Sequence, residues 1–227
     1  GGLFNAVWGQ FLCSFSLQQE RMGTVAAGIA IGTTIMVGLN MSAIHLHPYI
    51  GLGLAMLFLA ASAFFITRIP IESTETALPK PAEPRNLVRK PLVLLCAFIF
   101  VVTIAAGLMF QSVNPAFAHL TLLTSLYWAL PYIAAFIVVA RLPRTTNREH
   151  ILYIALAMIG FGFLAFMLLD NSAGSYLLVN TLLLGAFGVT DLFWWSILGE
   201  IMDYYKNPPR IFGLGLSVNL VGVVIGG

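Results

Sequence analysis

Apolar residues run in long blocks over 1–19, 22–44, 48–67, 91–112, 118–140, 150–169, 175–199 and 211–227. Polar residues fall in the breaks between them. Crossing the hydrocarbon core of a bilayer takes roughly 20 predominantly apolar residues. The pattern therefore predicts eight transmembrane helices, the last one clipped. The breaks are E-R, the turn H-L-H-P, a long polar stretch, S-V-N-P-A, R-L-P-R-T-T-N-R-E, D-N-S-A-G and E-I-M-D-Y-Y-K-N-P-P-R.

The third break differs from the others. Arg68–Pro91 holds eight of the chain's twenty Asp, Glu, Lys and Arg residues and five of its eleven prolines. Pro79, Pro81 and Pro84 remove backbone donors and favour extended chain, which predicts a semi-rigid, solvated spacer. The chain divides there into 1–67, the end of an N-terminal bundle with three spans, and 92–227, a C-terminal bundle with five.

Charge adds sidedness. All eleven Lys and Arg residues lie in the first, third, fifth and seventh breaks, and the second, fourth and sixth have none. Positive residues favour the cytoplasmic side, so the odd breaks, with the spacer at 68–91, are expected in the cytoplasm of a cell inner (plasma) membrane. The alternation also supports the helix count, because one missed or invented span would break it.

Composition narrows the class. Only 9% of the 227 residues are charged and 59% are hydrophobic, against about 25% charged in a soluble domain. The mean hydropathy is +0.92. The net charge of +2 does not argue for direct nucleic-acid binding, since the basic residues sit between spans rather than on one soluble face. Cys13 and Cys96 lie inside spans and give neither a disulfide framework nor metal spacing. His45 and His47 are two ligands too few for a structural metal. No catalytic set, phosphate loop or cofactor motif is present, so neither an enzyme nor a cofactor is expected. The chain opens inside one apolar block and closes inside another, as a piece cut at both ends would.

An internal similarity sets a register. M-G-T-V-A-A-G-I-A-I-G follows Arg21, and I-F-G-L-G-L-S-V-N-L-V-G follows Arg210. Each opens a Gly-rich span after a short charged turn, and the two spans are six apart in order. Parallel six-helix repeats are one architecture of two-halved transporters. With the spacer after the third span, the chain resembles helices four to eleven of the major facilitator superfamily, whose halves are joined by a long cytoplasmic loop. The resemblance implies an all-α, polytopic bundle of two pseudo-symmetric halves, truncated at both ends. It implies secondary transport of a small solute by alternating access. Gly28, Gly32 and Gly38 fit the Gly-rich fifth helix of the family, but no Gly-Pro pair ends it, so the antiporter signature is not present.

A narrower resemblance lies at 191–217, D-L-F-W-W-S-I-L-G-E-I-M-D-Y-Y-K-N-P-P-R-I-F-G-L-G-L-S. It is similar to the membrane part of bacterial LuxR-type regulators, in which a facilitator-like bundle precedes a helix-turn-helix domain. That implies a ligand sensor rather than a pump. Nucleic acid would then be a partner only through a C-terminal domain absent from these residues.

The candidate chemistry is sparse. Asp191 is the one ionisable residue well inside a span, where a carboxylate costs ~2.5–3.5 kcal/mol on insertion scales. It either faces a ligand or proton path, or lies near the cytoplasmic third and reaches water or caps a neighbouring helix. Trp195, Gln111, Tyr127, Trp128 and Asn40 are further candidates for binding an unidentified small molecule, by stacking and hydrogen bonding. Gln111, Asn114, His119, Thr124, Tyr127 and Trp128 cluster near the outer ends of the fourth and fifth spans. Asn5, Gln10 and Asn40 could face them. Glu20, Arg21, Glu200, Asp203 and Arg210 occupy matching turns of the two halves and suggest a cytoplasmic salt-bridge gate; the alternative is solvated headgroup-level charge. Pro131 predicts a kink in the fifth span. Gly28/Gly32, Gly160/Gly162 and Gly185/Gly188 predict close helix packing. The lipid bilayer is the one partner that the whole chain requires.

Overall fold

A computed structural model describes residues 21–68, 85–142, 147–202 and 208–227. The described residues are helical apart from short connections. In chain order the helices are α1 Arg21–His45, α2 Pro48–Arg68, α3 Arg85–Leu108, α4 Asn114–Ala116, α5 Thr121–Leu126, α6 Ala129–Arg141, α7 Arg148–Leu168, α8 Ala173–Met202 and α9 Pro208–Gly226. A five-residue π-helix, Met109–Val113, joins α3 to α4.

Six helical stretches are long and apolar enough to cross a membrane: Gly23–His45, Pro48–Phe65, Lys90–Ala116, Thr121–Arg141, Glu149–Leu168 and Ala173–Met202. Arg210–Gly226 is a shorter apolar helix. These match seven of the eight spans expected from the sequence, and the block 1–19 lies outside the described residues. The chain is thus an integral membrane protein with a helical bundle. Three boundaries differ. The helix of the fourth span starts at Arg85, within the stretch assigned to the spacer, and runs on through S-V-N-P-A. The helix of the seventh span continues past Glu200 to Met202.

Local chemistry explains both interruptions in the fourth and fifth spans. Pro115 has no N–H for the Gln111 carbonyl, and its ring would crowd that carbonyl in an α-helix. The chain widens instead, with the Asn114 N–H donating to the Met109 carbonyl five residues back. Pro131 likewise leaves the Tyr127 carbonyl without its α partner. The helix breaks at Tyr127–Trp128, the Leu130 N–H donates to the Tyr127 carbonyl at 3.0 Å, and the Trp128 indole N–H donates to the Ser125 carbonyl at 3.2 Å. The expected kink is therefore a two-residue turn just before the proline, where Tyr127 and Trp128 keep right-handed helical backbone, and its free carbonyls are satisfied locally as lipid demands.

Helix α8 is the hub. It packs against α7, α6, α1, α3 and α9. Val25 and Ala26 of α1 meet Phe136 of α6 and Leu192 of α8 in one cluster, which ties the helices before the spacer to those after it. Leu198 and Met202 of α8 pack with Ile99 of α3 and Phe212 of α9 in a second cluster. Small residues allow the closest approaches. A Cβ on Gly188 would lie 2.8 Å from the Tyr132 carbonyl oxygen and 2.9 Å from the Ala135 Cβ. One on Gly222 of α9 would collide with the Thr103 hydroxyl of α3, and one on Gly226 with the Ile104 carbonyl. Gly28, Gly32 and Gly160, three of the glycines expected at tight contacts, have open space around them among the described residues.

Candidate functional site: a central cavity around Asp191

A cavity of about 640 Å³ lies in the middle of the bundle. Thr33 and Met36 of α1 form one wall. Val102, Thr103 and Ala106 of α3 continue it into the π-helix, which contributes Met109 and Phe110, with Asn114 beyond. Thr124, Trp128 and Tyr132 come from the broken fifth span, Tyr176, Leu184, Phe187 and Asp191 from α8, and Asn219 and Val223 from α9. Both interrupted helices thus border the same space, and helices from both sides of the spacer enclose it.

Asp191 is nineteenth of the thirty residues of α8. At a rise of 1.5 Å per residue it lies about 5 Å beyond the helix midpoint. Its Oδ2 accepts from the Tyr132 hydroxyl at 2.6 Å, and its Oδ1 accepts from the Trp194 indole N–H at 3.0 Å. Tyr132 comes from α6 and Trp194 from the next turn of α8, so the carboxyl group pins two helices together. A carboxylate offers about four lone-pair sites. Two are taken among the described residues, and Asp191 also lines the cavity. Among the described residues it caps no neighbouring helix.

The other expected site residues fall into two groups. Trp128, Asn114 and Thr124 reach the cavity with Asp191. Trp195 does not line it. Four residues after Asp191 its direction is turned about 40° from that of the carboxylate, toward α9, where its ring stacks on Trp194 at 4.7 Å and meets Phe212 at 4.9 Å. Tyr127 also lies off the cavity: its hydroxyl shares a 2.7 Å hydrogen bond with the Thr181 hydroxyl, and its ring packs 6.1 Å from Tyr176. Neighbouring residues of a helix point about 100° apart, which separates Tyr127 from Trp128. Gln111 and Asn40 are exposed and form no part of the wall; of the π-helix, the buried Met109 and the largely exposed Phe110 border the cavity. His119 is exposed as well. Asn5 and Gln10 lie outside the described residues.

Of the charges expected to form a gate, Glu20 and Asp203 lie outside the described residues, as does the side chain of Arg21. Glu200 is on the last turn of α8, and Arg210 is exposed on the first turn of α9.

Sequence reasoning passed over Tyr132, Thr33, Thr103, Tyr176 and Asn219. Tyr132 carried a readable signal. It follows Pro131 and lies four residues after Trp128, hence on the same helical face. Trp194 is three residues from Asp191 and one turn along the same face, a nearer hydrogen-bond partner than Trp195.

At the α8 terminus opposite Met202, Asp170 accepts from the hydroxyls of Ser175 at 2.6 Å and Ser172 at 2.8 Å. These hydrogen bonds hold its carboxyl below the usual carboxylate range.

No family model, curated protein or solved structure matches this chain.

Proposed function

We propose that the protein is a facilitator-like secondary transporter that moves a small solute by alternating access, with its ligand held in the cavity beside Asp191. The observation that carries this reading is the coincidence of one mid-membrane carboxylate with a cavity whose walls include two interrupted helices. Irregular backbone at membrane depth is tolerated where it lines a cavity, and substrate sites of secondary transporters use such discontinuous helices. Helices on both sides of the spacer contribute walls, so rocking one group against the other would open the cavity to either face. The spacer and the other basic connections are cytoplasmic in this proposal, on the charge alternation. Asp191 is the ligand-facing anion, with Tyr132 and Trp194 as its positioning residues.

The second reading is a ligand-sensing membrane domain of a LuxR-type regulator, favoured by the segment 191–217. It uses the same cavity without transport.

Side-specific thiol labelling separates the two. In full-length protein lacking Cys13 and Cys96, Asn219→Cys places a thiol on the cavity wall. A membrane-impermeant maleimide is expected to reach it in turn from both faces of oriented vesicles. Reaction from one face only, under all conditions, would sink alternating access and favour sensing. Thr76→Cys is expected to react only from the cytoplasmic face and Ser172→Cys only from outside. Finding both on one side would overturn the topology.

A further inference from the structure

We infer that the cavity takes an organic monocation, with Asp191 as its counter-charge and aromatic rings as its walls. The inference rests on reading the cavity as the ligand site, and it adds the ligand's chemical class.

The first ground is charge. Among the described residues no Lys, Arg or His lines the cavity, and all eleven Lys and Arg residues of the chain lie between the apolar blocks or at the ends of the spans. Among the described residues, the groups held to the carboxyl are two neutral donors, Tyr132 and Trp194. A carboxylate at membrane depth is costly to leave without a countercharge. A ligand cation supplies it, whereas an anionic ligand would be repelled at close range in a low-dielectric site.

The second ground is the wall. Trp128, Tyr132 and Phe187 bring aromatic residues to the space that Asp191 lines, and Phe110, largely exposed, borders it. Aromatic faces attract cations, more strongly when the site is dry. A sugar or polyol would need a dense set of hydrogen-bonding groups. Here the hydroxyls of Thr103 and Thr124 donate to the Ile99 and Leu120 carbonyls of their own helices, at 2.8 and 3.0 Å. The side-chain amides of the wall are Asn114 and Asn219. An apolar pocket with a few convergent polar groups and one charge suits an amphipathic cation of drug-like size, and about 640 Å³ lies within the range of such sites.

Two probe ions of matched shape and opposite charge test this directly. Purified full-length protein is titrated with tetraphenylphosphonium and with tetraphenylborate, read by tryptophan quenching against protein-free micelles. The phosphonium is expected to bind with a Kd at least about tenfold lower than the borate. Asp191→Asn is expected to abolish the preference and Asp191→Glu to keep it. Equal binding of the two ions by the unmodified protein overturns the inference, as a carboxyl that only carries a proton would give that result. A preference that survives in Asp191→Asn overturns it too. Should Asp191→Asn fail to fold, the unmodified protein's preference and its retention in Asp191→Glu decide. Two-sided labelling of Asn219→Cys with no charge preference would remove only the ligand class and leave transport standing. One-sided labelling with a charge preference would keep the ligand class and transfer it to a sensor.

Discussion

Helices α2 and α8 have nearly the same mean hydropathy over their membrane windows, 1.8 and 1.6, and opposite surroundings. Only 6% of the α2 window is buried in the described structure, against 56% for α8. In water such a difference would be written as an apolar stripe on the exposed helix and apolar residues all round on the buried one. In a membrane the outward face is as apolar as the inward one, so the difference has to come from size and hydrogen bonding. Helix α8 carries Ser175, Asn180, Thr190, Asp191 and Ser196, with Gly185 and Gly188 where neighbours come close. Helix α2 turns Leu52, Met56, Leu59 and Phe65 outward. In α8 the buried positions include these small and polar side chains, whereas α1, just as rich in Gly, Ala and Thr, is buried over only 6% of its membrane window in the described structure.

The comparison is broken or sharpened first by glycine substitution. Gly188→Leu forces a side chain into the Tyr132 backbone, while Gly53 of α2 has nothing within 4 Å. Thermal unfolding in detergent is expected to show a loss of about 1–3 kcal/mol for Gly188→Leu, or failure to fold, and no loss for Gly53→Leu. Equal melting of the two variants would end the contrast between the helices.

Removing a polar anchor should have a comparable effect. Tyr132→Phe deletes the 2.6 Å donor to Asp191 and leaves the carboxyl with the Trp194 N–H alone. Hydrogen bonds to charged groups contribute ~1.5–3 kcal/mol, so the variant is expected to lose stability within that range. Ser62→Ala, on an exposed face of α2, should stay within about 0.5 kcal/mol of the parent. If Tyr132→Phe melts like the parent, the Asp191 clamp does not hold α6 to α8.

Lipid exposure can be read without changing the protein. A carbene reagent generated in the acyl-chain region should modify Met56, Leu59 and Phe65 of α2 and spare Leu183 and Phe187 of α8. Comparable modification of both sets would mean that α8 faces lipid.

The smallest effect concerns pH at the Asp170 end of α8. The hydroxyls of Ser175 and Ser172 lower the folded-state pKa of Asp170 relative to the unfolded chain. The stabilisation is therefore present above the unfolded value and fades as pH falls through the lower, folded value. The carboxylate is exposed, so the effect is local and weakened by solvent. Amide exchange in the first turn of α8 should quicken in that acidic window, and Ser175→Ala should flatten the dependence. A first turn whose protection is the same at neutral and acidic pH would show that Asp170 does not cap it.

Much of the fold was legible in the chain because the bilayer reads length and polarity directly. Seven apolar blocks became helices in the expected places, and the pairing of basic residues with alternate connections needs no tertiary knowledge. Asp191 stood out for the same reason: a charge among apolar neighbours is conspicuous in one dimension. Pro115 and Pro131 marked places where backbone bonds must fail, and a break could be foreseen at one of them. What faces what could not be read. A helix that is apolar all round has no moment to orient it, so nothing local turns Trp128 and Tyr132 toward Asp191 and Tyr127 toward Thr181. The π-helix before Pro115 buries Met109 and leaves Gln111 exposed, a change in helical phase that no regular period contains. The glycines show the same limit. Gly28 and Gly32 have the spacing of a packing face and meet nothing among the described residues, whereas Gly222 and Gly226, at the same spacing, let α9 settle onto the backbone of α3. Spacing says that a close contact is possible; only the position of the opposing helix decides whether it forms.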